Sequence, residues 1–258
     1  MNTKKSISFI GAGNVATHLA KAFFSKDFTI SKVYSKNIGN AELLATSINA
    51  IPCNNLEELY EQNHIYFICV NDDVIEEVLH LLKLKDSLII HTSGSVSINI
   101  FEHKAFSNFG IFYPLQTFSK NKAVAIDEVP FCIEANTKEN EQELIRLAKV
   151  LSNNVHLINS EQRKKLHLAA VFACNFSNYM YTIADELLNN NDMDLNLLKP
   201  LIIETANKIK SNSPKAMQTG PAKRNDIAVI EKQLELLANN STYKDIYQLI
   251  TDSIIKEN

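Results

Sequence analysis

The chain has 258 residues, of which 45% are hydrophobic and 21% charged, and its formal net charge is −3. These values are ordinary for a globular protein of one large or two modest domains, and they lack the basic excess of proteins that bind nucleic acids or acidic membranes. No signal-peptide pattern is present, and no apolar run reaches the roughly 18 residues of a membrane span. The four cysteines are isolated. We therefore expect a cytoplasmic protein with reduced thiols.

A strand, a tight glycine turn and a helix are predicted within the first 24 residues. The apolar run 7–10 leads into the turn 11–13, and an amphipathic helix follows. In this context the G-x-G-x-x-A pattern indicates the start of a dinucleotide-binding βαβ unit. Its first glycine permits the turn, its second lets the backbone approach a pyrophosphate, and its alanine keeps the helix close to the strand. The predicted cofactor-binding residues here are Gly11, Gly13, Asn14, Val15 and Ala16.

Strands and helices alternate as far as residue 158. Further strands are predicted at 31–35, 65–70, 87–91, 108–113 and 129–133, and helices at 41–49, 73–84 and 138–152. Residues 57–62 form part of another predicted helix. The continuous apolar run 65–70 is typical of a parallel strand buried on both faces. These patterns predict an α/β fold, a doubly wound Rossmann-type sheet.

From residue 159 onward the pattern is helical only. Helices are predicted at 160–188, 195–210, 221–238 and 243–255, separated by polar loops. We therefore predict an NAD(P)-binding Rossmann domain at 1–158 and an all-helical domain at 159–258.

The end of the second predicted strand indicates which dinucleotide binds. NAD sites place Asp or Glu there, about 20 residues past the glycines, to hold the ribose 2′-hydroxyl. Here the positions are Ser35, Lys36 and Asn37. A hydroxyl, an ammonium and an amide suit a 2′-phosphate, so we predict that Ser35 and Lys36 bind the cofactor and favour NADP over NAD. Alternatively, Lys36 is a solvated loop lysine.

Polar residues also follow the carboxyl ends of later strands, where ligands bind in open α/β sheets. The predicted cofactor contacts are Asn71, Thr92, Ser93 and Gly94, and the predicted substrate contacts are Ser95, Tyr113 and Gln116. The polar residues of both sets also have a purely structural interpretation. Asp72 or Asp73 can cap a helix, and 92–95 can be an ordinary strand–helix turn.

Five short segments together resemble one known family. They are ICVNDDVI at 68–75, HTSGS at 91–95, GIFYPLQTFS at 110–119, KLHLAAVFACNF at 165–176 and TGPAKRND at 219–226. The family comprises Rossmann-like oxidoreductases whose C-terminal half is classed as a domain of unknown function. More distantly, the chain is similar to pyrroline-5-carboxylate reductases, prephenate dehydrogenases and the 6-phosphogluconate dehydrogenase superfamily.

The resemblance implies a two-domain NAD(P)-dependent reductase or dehydrogenase without specifying its substrate. A helical domain like the C-terminal domain of 6-phosphogluconate dehydrogenase would complete the active site and mediate a homodimer. The chain departs from the family at two positions. Family members often carry His where this chain has Tyr113, and they usually read RGD at 224–226, where this chain has Asn225.

Two residues of the predicted helix 160–188 are the predicted catalytic groups. Because the cofactor carries the hydride, the protein must supply a proton donor or acceptor and a polar clamp. Histidine titrates near neutral pH, which favours His167, and Asn175 follows eight residues later on nearly the same face. Related superfamily members place a Lys and an Asn one turn apart on this helix, whereas Val171 lies one turn after His167. Alternatively, the pair is a buried interdomain histidine and a helix–helix amide.

The segment 219–226 supplies the last candidates, Arg224 and Asp226, as substrate-binding residues. Arginine binds carboxylates bidentately, although Gly220 and Pro221 also fit a plain helix start. No histidine spacing predicts a metal site. The sequence therefore predicts an NADP-dependent oxidoreductase for a small C=O or C=N substrate, acting without nucleic acid or membrane partners. The alternative is a dinucleotide-binding sensor or scaffold without turnover.

Overall fold

The computed structural model describes residues 6–60, 64–84, 86–102, 104 and 106–257. Within these ranges, eight strands form a single sheet. The strands are β1 Ile7–Ile10, β2 Ile30–Tyr34, β3 Ile51–Cys53, β4 Ile65–Ile68, β5 Leu88–His91, β6 Asn108–Pro114, β7 Phe131–Ala135 and β8 Val155–Leu157. The helices beside them are α1 Asn14–Phe24, α2 Ile38–Thr46, α3 Ile75–Leu81 and α4 Lys138–Leu151.

The sheet has the doubly wound topology that the alternating pattern predicts. Its strand order is β3-β2-β1-β4-β5-β6-β7-β8, and every neighbouring pair is parallel except β6 with β7. The order reverses between β1 and β4, which opens a crevice at the carboxyl ends of the strands. The predicted α/β fold class is confirmed.

Two apolar layers cover the two faces of the sheet. Because side chains alternate along a strand, Phe9 and Phe67 lie in one layer and Ile10 and Ile68 in the other. The first layer is rich in aromatic rings, with Phe67 edge-on to Phe112 at a centroid distance of 5.3 Å. With both faces buried, the central strands fix the positions of the loops at their carboxyl ends.

The observed elements differ from the predicted bounds at several places. The helix predicted at 41–49 begins earlier, at Ile38, because the Asn37 side chain accepts a hydrogen bond from the Gly39 N–H. The predicted helix 57–62 includes residues 61 and 62, which lie outside the described part, and its start is a 3₁₀ turn, Leu56–Leu59. Strands β3 and β8, three residues each, add to the predicted set.

The C-terminal helices are α5 Ser160–Ala170, α6 Ser177–Asn189, α7 Lys199–Lys208, α8 Pro221–Arg224, α9 Ile227–Leu236 and α10 Ser241–Lys256. Between α5 and α6 the backbone winds as a π-helix, Val171–Phe176. The helix predicted at 221–238 is broken into α8 and α9, because Asn225 adopts a left-handed conformation with φ of 53°.

The chain divides into two compact units, 1–174 and 175–258. The division falls later than the predicted boundary at 158/159, since the buried side chain of Arg163 binds α5 to strand β7 of the first unit. No helix in the described ranges is long and apolar enough to cross a membrane.

Candidate functional site

The glycine turn after β1 has a conformation that only glycine adopts readily. Gly11 has φ of +111°, and its N–H donates to the Tyr34 carbonyl at 2.8 Å. A Cβ atom at this position would lie 2.3 Å from the Cys69 carbonyl oxygen. Ala16, in the first turn of α1, is fully buried against the sheet. The backbone here therefore has no room for any side chain at position 11.

The next part of the turn is open. Gly13 is exposed as the N-cap residue of α1, and a Cβ built on it meets no described heavy atom within 4 Å. Asn14 is exposed and Val15 half-buried. The free N–H groups of this helix start, together with a backbone that a ligand can approach closely, fit the pyrophosphate of a dinucleotide.

Alanine substitutions at these two glycines should separate folding from cofactor binding. Gly11→Ala should lower the free energy of unfolding by about 3 kcal/mol, through backbone strain and the contact with Cys69. Gly13→Ala should stay within about 1 kcal/mol of the parent protein but weaken NADPH binding about tenfold, because its Cβ enters the space of the pyrophosphate. Urea unfolding and NADPH fluorescence titration measure the two effects. Normal NADPH binding by Gly13→Ala would contradict this placement.

The predicted 2′-phosphate residues follow β2. The Ser35 N–H donates to the Cys53 carbonyl at 3.1 Å, which leaves the Ser35 hydroxyl at the strand end. The Lys36 ammonium is exposed and lies 3.2 Å from a carboxylate oxygen of Glu77, in the first turn of α3. Both interpretations of Lys36, phosphate binding and a solvated loop lysine, remain predictions.

A hydrogen bond joins the segment after β4 to the loop after β5. Asn71 is exposed and precedes a short 3₁₀ turn, so neither Asp72 nor Asp73 is a cap residue. The Ser95 hydroxyl donates to the Asp72 carboxylate. The Ser93 hydroxyl accepts from the backbone N–H of Ser95 at 3.1 Å. The loop after β5 is thus held in place by its own hydroxyls.

Thr92 and Gly94 complete that loop. The Thr92 side chain is buried, and its hydroxyl donates to the Ile68 carbonyl at 3.4 Å. Gly94 is buried, and a Cβ built on it would lie 2.6 Å from Nδ1 of His167 and 2.9 Å from Cζ of Tyr113. The absence of a side chain at position 94 is what lets these two rings approach the loop.

The polar atoms of the Tyr113 and His167 side chains are in hydrogen-bond contact. The Tyr113 hydroxyl and His167 Nδ1 are 3.0 Å apart, and the two rings meet edge to face at 5.9 Å. Burial raises the pKa of Tyr113 to about 12, so its hydroxyl remains protonated at neutral pH and can donate to a bare Nδ1 or accept from a protonated one. Helix α5 thus brings His167 to the carboxyl ends of β5 and β6, beside the loop after β5.

Four further predicted residues have surroundings within their own units. Gln116 is exposed, and its side-chain oxygen accepts from the neighbouring Thr117 N–H at 2.8 Å. Asn175 is exposed in the π-helical segment, at the start of the second unit. In that unit Arg224 is exposed at the end of α8, and the Asp226 carboxylate caps α9 by accepting from the Val229 N–H at 3.3 Å. The roles predicted for these four residues remain predictions.

Sequence reasoning missed a buried ion pair beside the site. Arg163 is fully buried, with its guanidinium 2.6 Å from the Glu134 carboxylate of β7. It also donates to the Val96 carbonyl in the loop after β5 and to the Ser160 hydroxyl. The signals were present: Arg163 precedes His167 by one helical turn, and Glu134 stands in an apolar strand.

His91 is also buried, at the end of β5. Burial, together with the nearby Arg163 charge, lowers its pKa from 6.5 to about 3. Its Nδ1 accepts from the Ser93 N–H at 3.2 Å, and its ring stacks on Phe101. The neutral imidazole is therefore a structural part of the loop rather than a proton donor of the cleft.

The His91 shift makes the stability depend on pH. Below pH 6.5 the unfolded chain binds a proton at this residue, whereas the folded protein does not until about pH 3. Stability should therefore fall as the pH is lowered through that window. His91→Gln, which keeps an acceptor but does not titrate, should flatten the decline in urea unfolding, whereas the exposed His156→Gln should not. Identical pH profiles for parent and His91→Gln would refute this explanation.

Two family descriptions match consecutive parts of the chain. Residues 6–94, which contain the glycine turn and the loop after β5, match the family described as NADP oxidoreductase, coenzyme F420-dependent. Residues 129–254 match DUF2520, a domain of unknown function. The crystal structure of a Bacteroides fragilis protein assigned as an NADP oxidoreductase shares 40% sequence identity, covers 98% of both chains and superposes with a TM-score of 0.92. The chain belongs to this family of NADP oxidoreductases.

Other relatives of this NADP oxidoreductase are more distant. An imine reductase from Myxococcus stipitatus, in complex with NADP+, is 14% identical over 97% of this chain and 92% of its own, with a TM-score of 0.65. A pyrroline-5-carboxylate reductase from Coxiella burnetii is 11% identical over 99% and 97%, with a TM-score of 0.59. At these identities the likeness concerns the fold alone, and it confirms the predicted distant resemblance.

A glutamyl-tRNA reductase from Methanococcus aeolicus is 28% identical over 162 residues. The match covers 62% of this chain but only 39% of that protein, so the chain spans well under half the length of this relative. The assignment to the oxidoreductase family rests on the N-terminal family match and on the Bacteroides fragilis structure.

Proposed function

We propose that this oxidoreductase transfers a hydride to or from a small C=O or C=N compound that carries a carboxylate, with His167 as the proton donor or acceptor. The observation that supports this most directly is the 3.0 Å hydrogen bond between Tyr113 and His167, at the carboxyl edge of the sheet that carries the glycine turn. A bound nicotinamide supplies the hydride chemistry. The protein must then handle one proton and hold the substrate.

We propose the tautomer of His167 whose Nδ1 accepts a hydrogen bond from the Tyr113 hydroxyl, which burial keeps protonated. A neutral imidazole that accepts at Nδ1 carries its own proton on Nε2. His167 can thus present one proton to a substrate while Tyr113 holds the orientation of the ring. His167 is half-buried, so a ligand in the cleft can reach it.

The hydride of the cofactor and the proton of His167 together limit the class of substrate. The hydride acceptor of a nicotinamide cofactor is a polarised double bond, and a proton delivered by histidine completes its reduction. An imine reductase shares this fold, which supports C=N alongside C=O. We propose that Arg224 binds the carboxylate, since its exposed guanidinium is free to form a bidentate pair, and that Asn175 orients the reacting group.

We further propose a homodimer formed through the second unit. Large apolar side chains there are exposed, including Leu236 at 84%, Leu249 at 69% and Leu197 at 68%. Such a set of exposed leucines is typical of a surface that another subunit covers. Light scattering of the full chain measures the oligomeric state. A monomer at micromolar concentration would contradict this part of the proposal.

A substrate panel tests the proposed function. Small ketones, aldehydes and cyclic imines are each assayed with and without a carboxylate, following the absorbance of NADPH. We expect turnover with at least one carboxylated member and at least about tenfold lower kcat/KM for its matched uncharged analogue. Coenzyme F420 belongs in the panel because the description of the N-terminal family names it. NADPH binding without turnover of any member, or turnover with F420 alone, would overturn the proposed substrate class.

A further inference from the structure

An ion pair bridges the crevice in which the cofactor is expected to bind. The Lys36 Nζ lies 3.2 Å from Oε1 of Glu77. Lys36 follows β2, and Glu77 lies in α3, which follows β4. Strands β2 and β4 are the two neighbours of β1, whose carboxyl end carries the glycine turn. The pair therefore joins the segment after β2 to helix α3 across the end of β1. The ribose that carries the 2′-phosphate of NADP is expected on this side of the crevice.

The carboxylate of Glu77 is paired with the Lys36 ammonium that a 2′-phosphate would bind. Lysine binds phosphate as a point charge, so a carboxylate at 3.2 Å and an incoming phosphate compete for the same ammonium. Both side chains are more than half exposed, 69% for Lys36 and 57% for Glu77, so the pair can open without disturbing the core. Its strength is that of a surface ion pair, modest and sensitive to salt.

The neighbouring carboxylate does not share this position. Glu76, the preceding residue of α3, lies 3.8 Å from His80 Nε2 and 3.8 Å from Lys104 Nζ. Glu76 and Glu77 thus carry the same charge on adjacent residues of one helix turn, but only the second meets the residue predicted to bind phosphate. This makes Glu76 a matched control for the charge of Glu77.

We propose that Glu77 is a specificity-determining residue that competes with the 2′-phosphate for Lys36 and so reduces the preference for NADPH over NADH. When NADPH binds, the ammonium exchanges the carboxylate for the phosphate and Glu77 turns to solvent. When NADH binds, no phosphate competes and the ion pair persists. The proposal rests on the phosphate-binding role predicted for Lys36, and not on the substrate class.

Cofactor titrations of the intact protein test the proposal without any substrate. Fluorescence titration gives Kd for NADPH and for NADH with the parent protein, Glu77→Gln, Lys36→Gln and Glu76→Gln. Glu77→Gln should tighten NADPH binding about fivefold and leave NADH within about twofold, as expected for the loss of an exposed competing charge. Glu76→Gln should change both cofactors by less than about twofold. The fivefold gain should shrink toward nothing at about 1 M salt, where charges are screened.

The Lys36→Gln variant distinguishes a wrong role for Lys36 from a wrong role for Glu77. Lys36→Gln should weaken NADPH binding about tenfold with NADH unchanged, which shows that Lys36 contacts the phosphate. If it does so while Glu77→Gln changes nothing, the competition proposed for Glu77 is wrong and the role of Lys36 stands. If Lys36→Gln leaves NADPH unchanged, the role of Lys36 and the inference built on it both fail. Equal tightening by Glu77→Gln and Glu76→Gln would reduce the effect to general surface charge and also overturn the inference.

Discussion

Arg163→Met should lower the free energy of unfolding by about 3–5 kcal/mol, because it removes one partner of a buried ion pair and leaves the other charged. The guanidinium is fully buried, and Glu134 lies 2.6 Å from it with 16% of its side chain exposed. The substitution also deprives the Val96 carbonyl and the Ser160 hydroxyl of a donor. Urea unfolding with the pH held near neutrality measures the loss.

A matched surface pair serves as the control. Lys164, the next residue, lies 3.0 Å from Glu161 with 43% of its side chain exposed. Lys164→Met should change stability by less than about 0.5 kcal/mol, as is usual for exposed ion pairs. The double variant Arg163→Met with Glu134→Gln should recover part of the loss, because the buried carboxylate is then gone. A loss below about 1 kcal/mol for Arg163→Met alone would show that the ion pair is not what holds this region.

The Arg163 network has consequences for the site as well as for the fold. It binds helix α5 to strand β7 and, through the Val96 carbonyl, to the loop that contains Gly94. Ser160, in the first turn of α5, adds a second link by accepting from the Ile98 N–H at 2.9 Å. The helix and the loop that meet at His167 and Gly94 are therefore held to each other one turn away from the contact.

The parts of the site that the sequence predicted are those that local rules govern. A glycine with φ of +111° after a buried strand and a helix start three residues later both follow from short-range chemistry. The contact between Tyr113 and His167 joins residues that are 54 positions apart in the sequence. Each was predicted as a site residue, but nothing in the sequence indicated that their side chains meet.

Asn225 shows how a departure from the family pattern is explained by the backbone. The family usually has Gly here, and Asn225 takes φ of 53° and ψ of 41°. Glycine and asparagine are the residues that tolerate this left-handed conformation best. The sequence predicted one helix through this position because the periodicity continues past it. The conformation of one residue divides that helix into α8 and α9.

The departure at Tyr113 has a different consequence. A tyrosine places its hydroxyl further from the backbone than a histidine nitrogen, and here that hydroxyl reaches Nδ1 of His167. Because burial raises its pKa to about 12, the Tyr113 hydroxyl keeps its proton near neutral pH. We therefore propose the proton-transfer role for His167 and an orienting role for Tyr113.

His167→Gln should lower kcat by about 100- to 10,000-fold with the best substrate of the panel, the usual range for a lost general acid or base. NADPH binding should stay within about twofold, since the glycine turn is untouched. Tyr113→Phe removes only the hydroxyl and should lower kcat about tenfold, the cost of a lost orienting hydrogen bond. Stopped-flow and steady-state assays of NADPH oxidation measure these effects.

The control is Tyr60→Phe, which removes a hydroxyl from a tyrosine that is 62% exposed, and it should leave kcat unchanged. The size of the loss separates the two roles, because His167→Gln should lower kcat at least about tenfold further than Tyr113→Phe. If His167→Gln kept kcat within about threefold, the proton donor would have to be another group of the cleft. The bond between Tyr113 and His167 would then be a packing contact, and the case for this pair as the reacting centre would be lost.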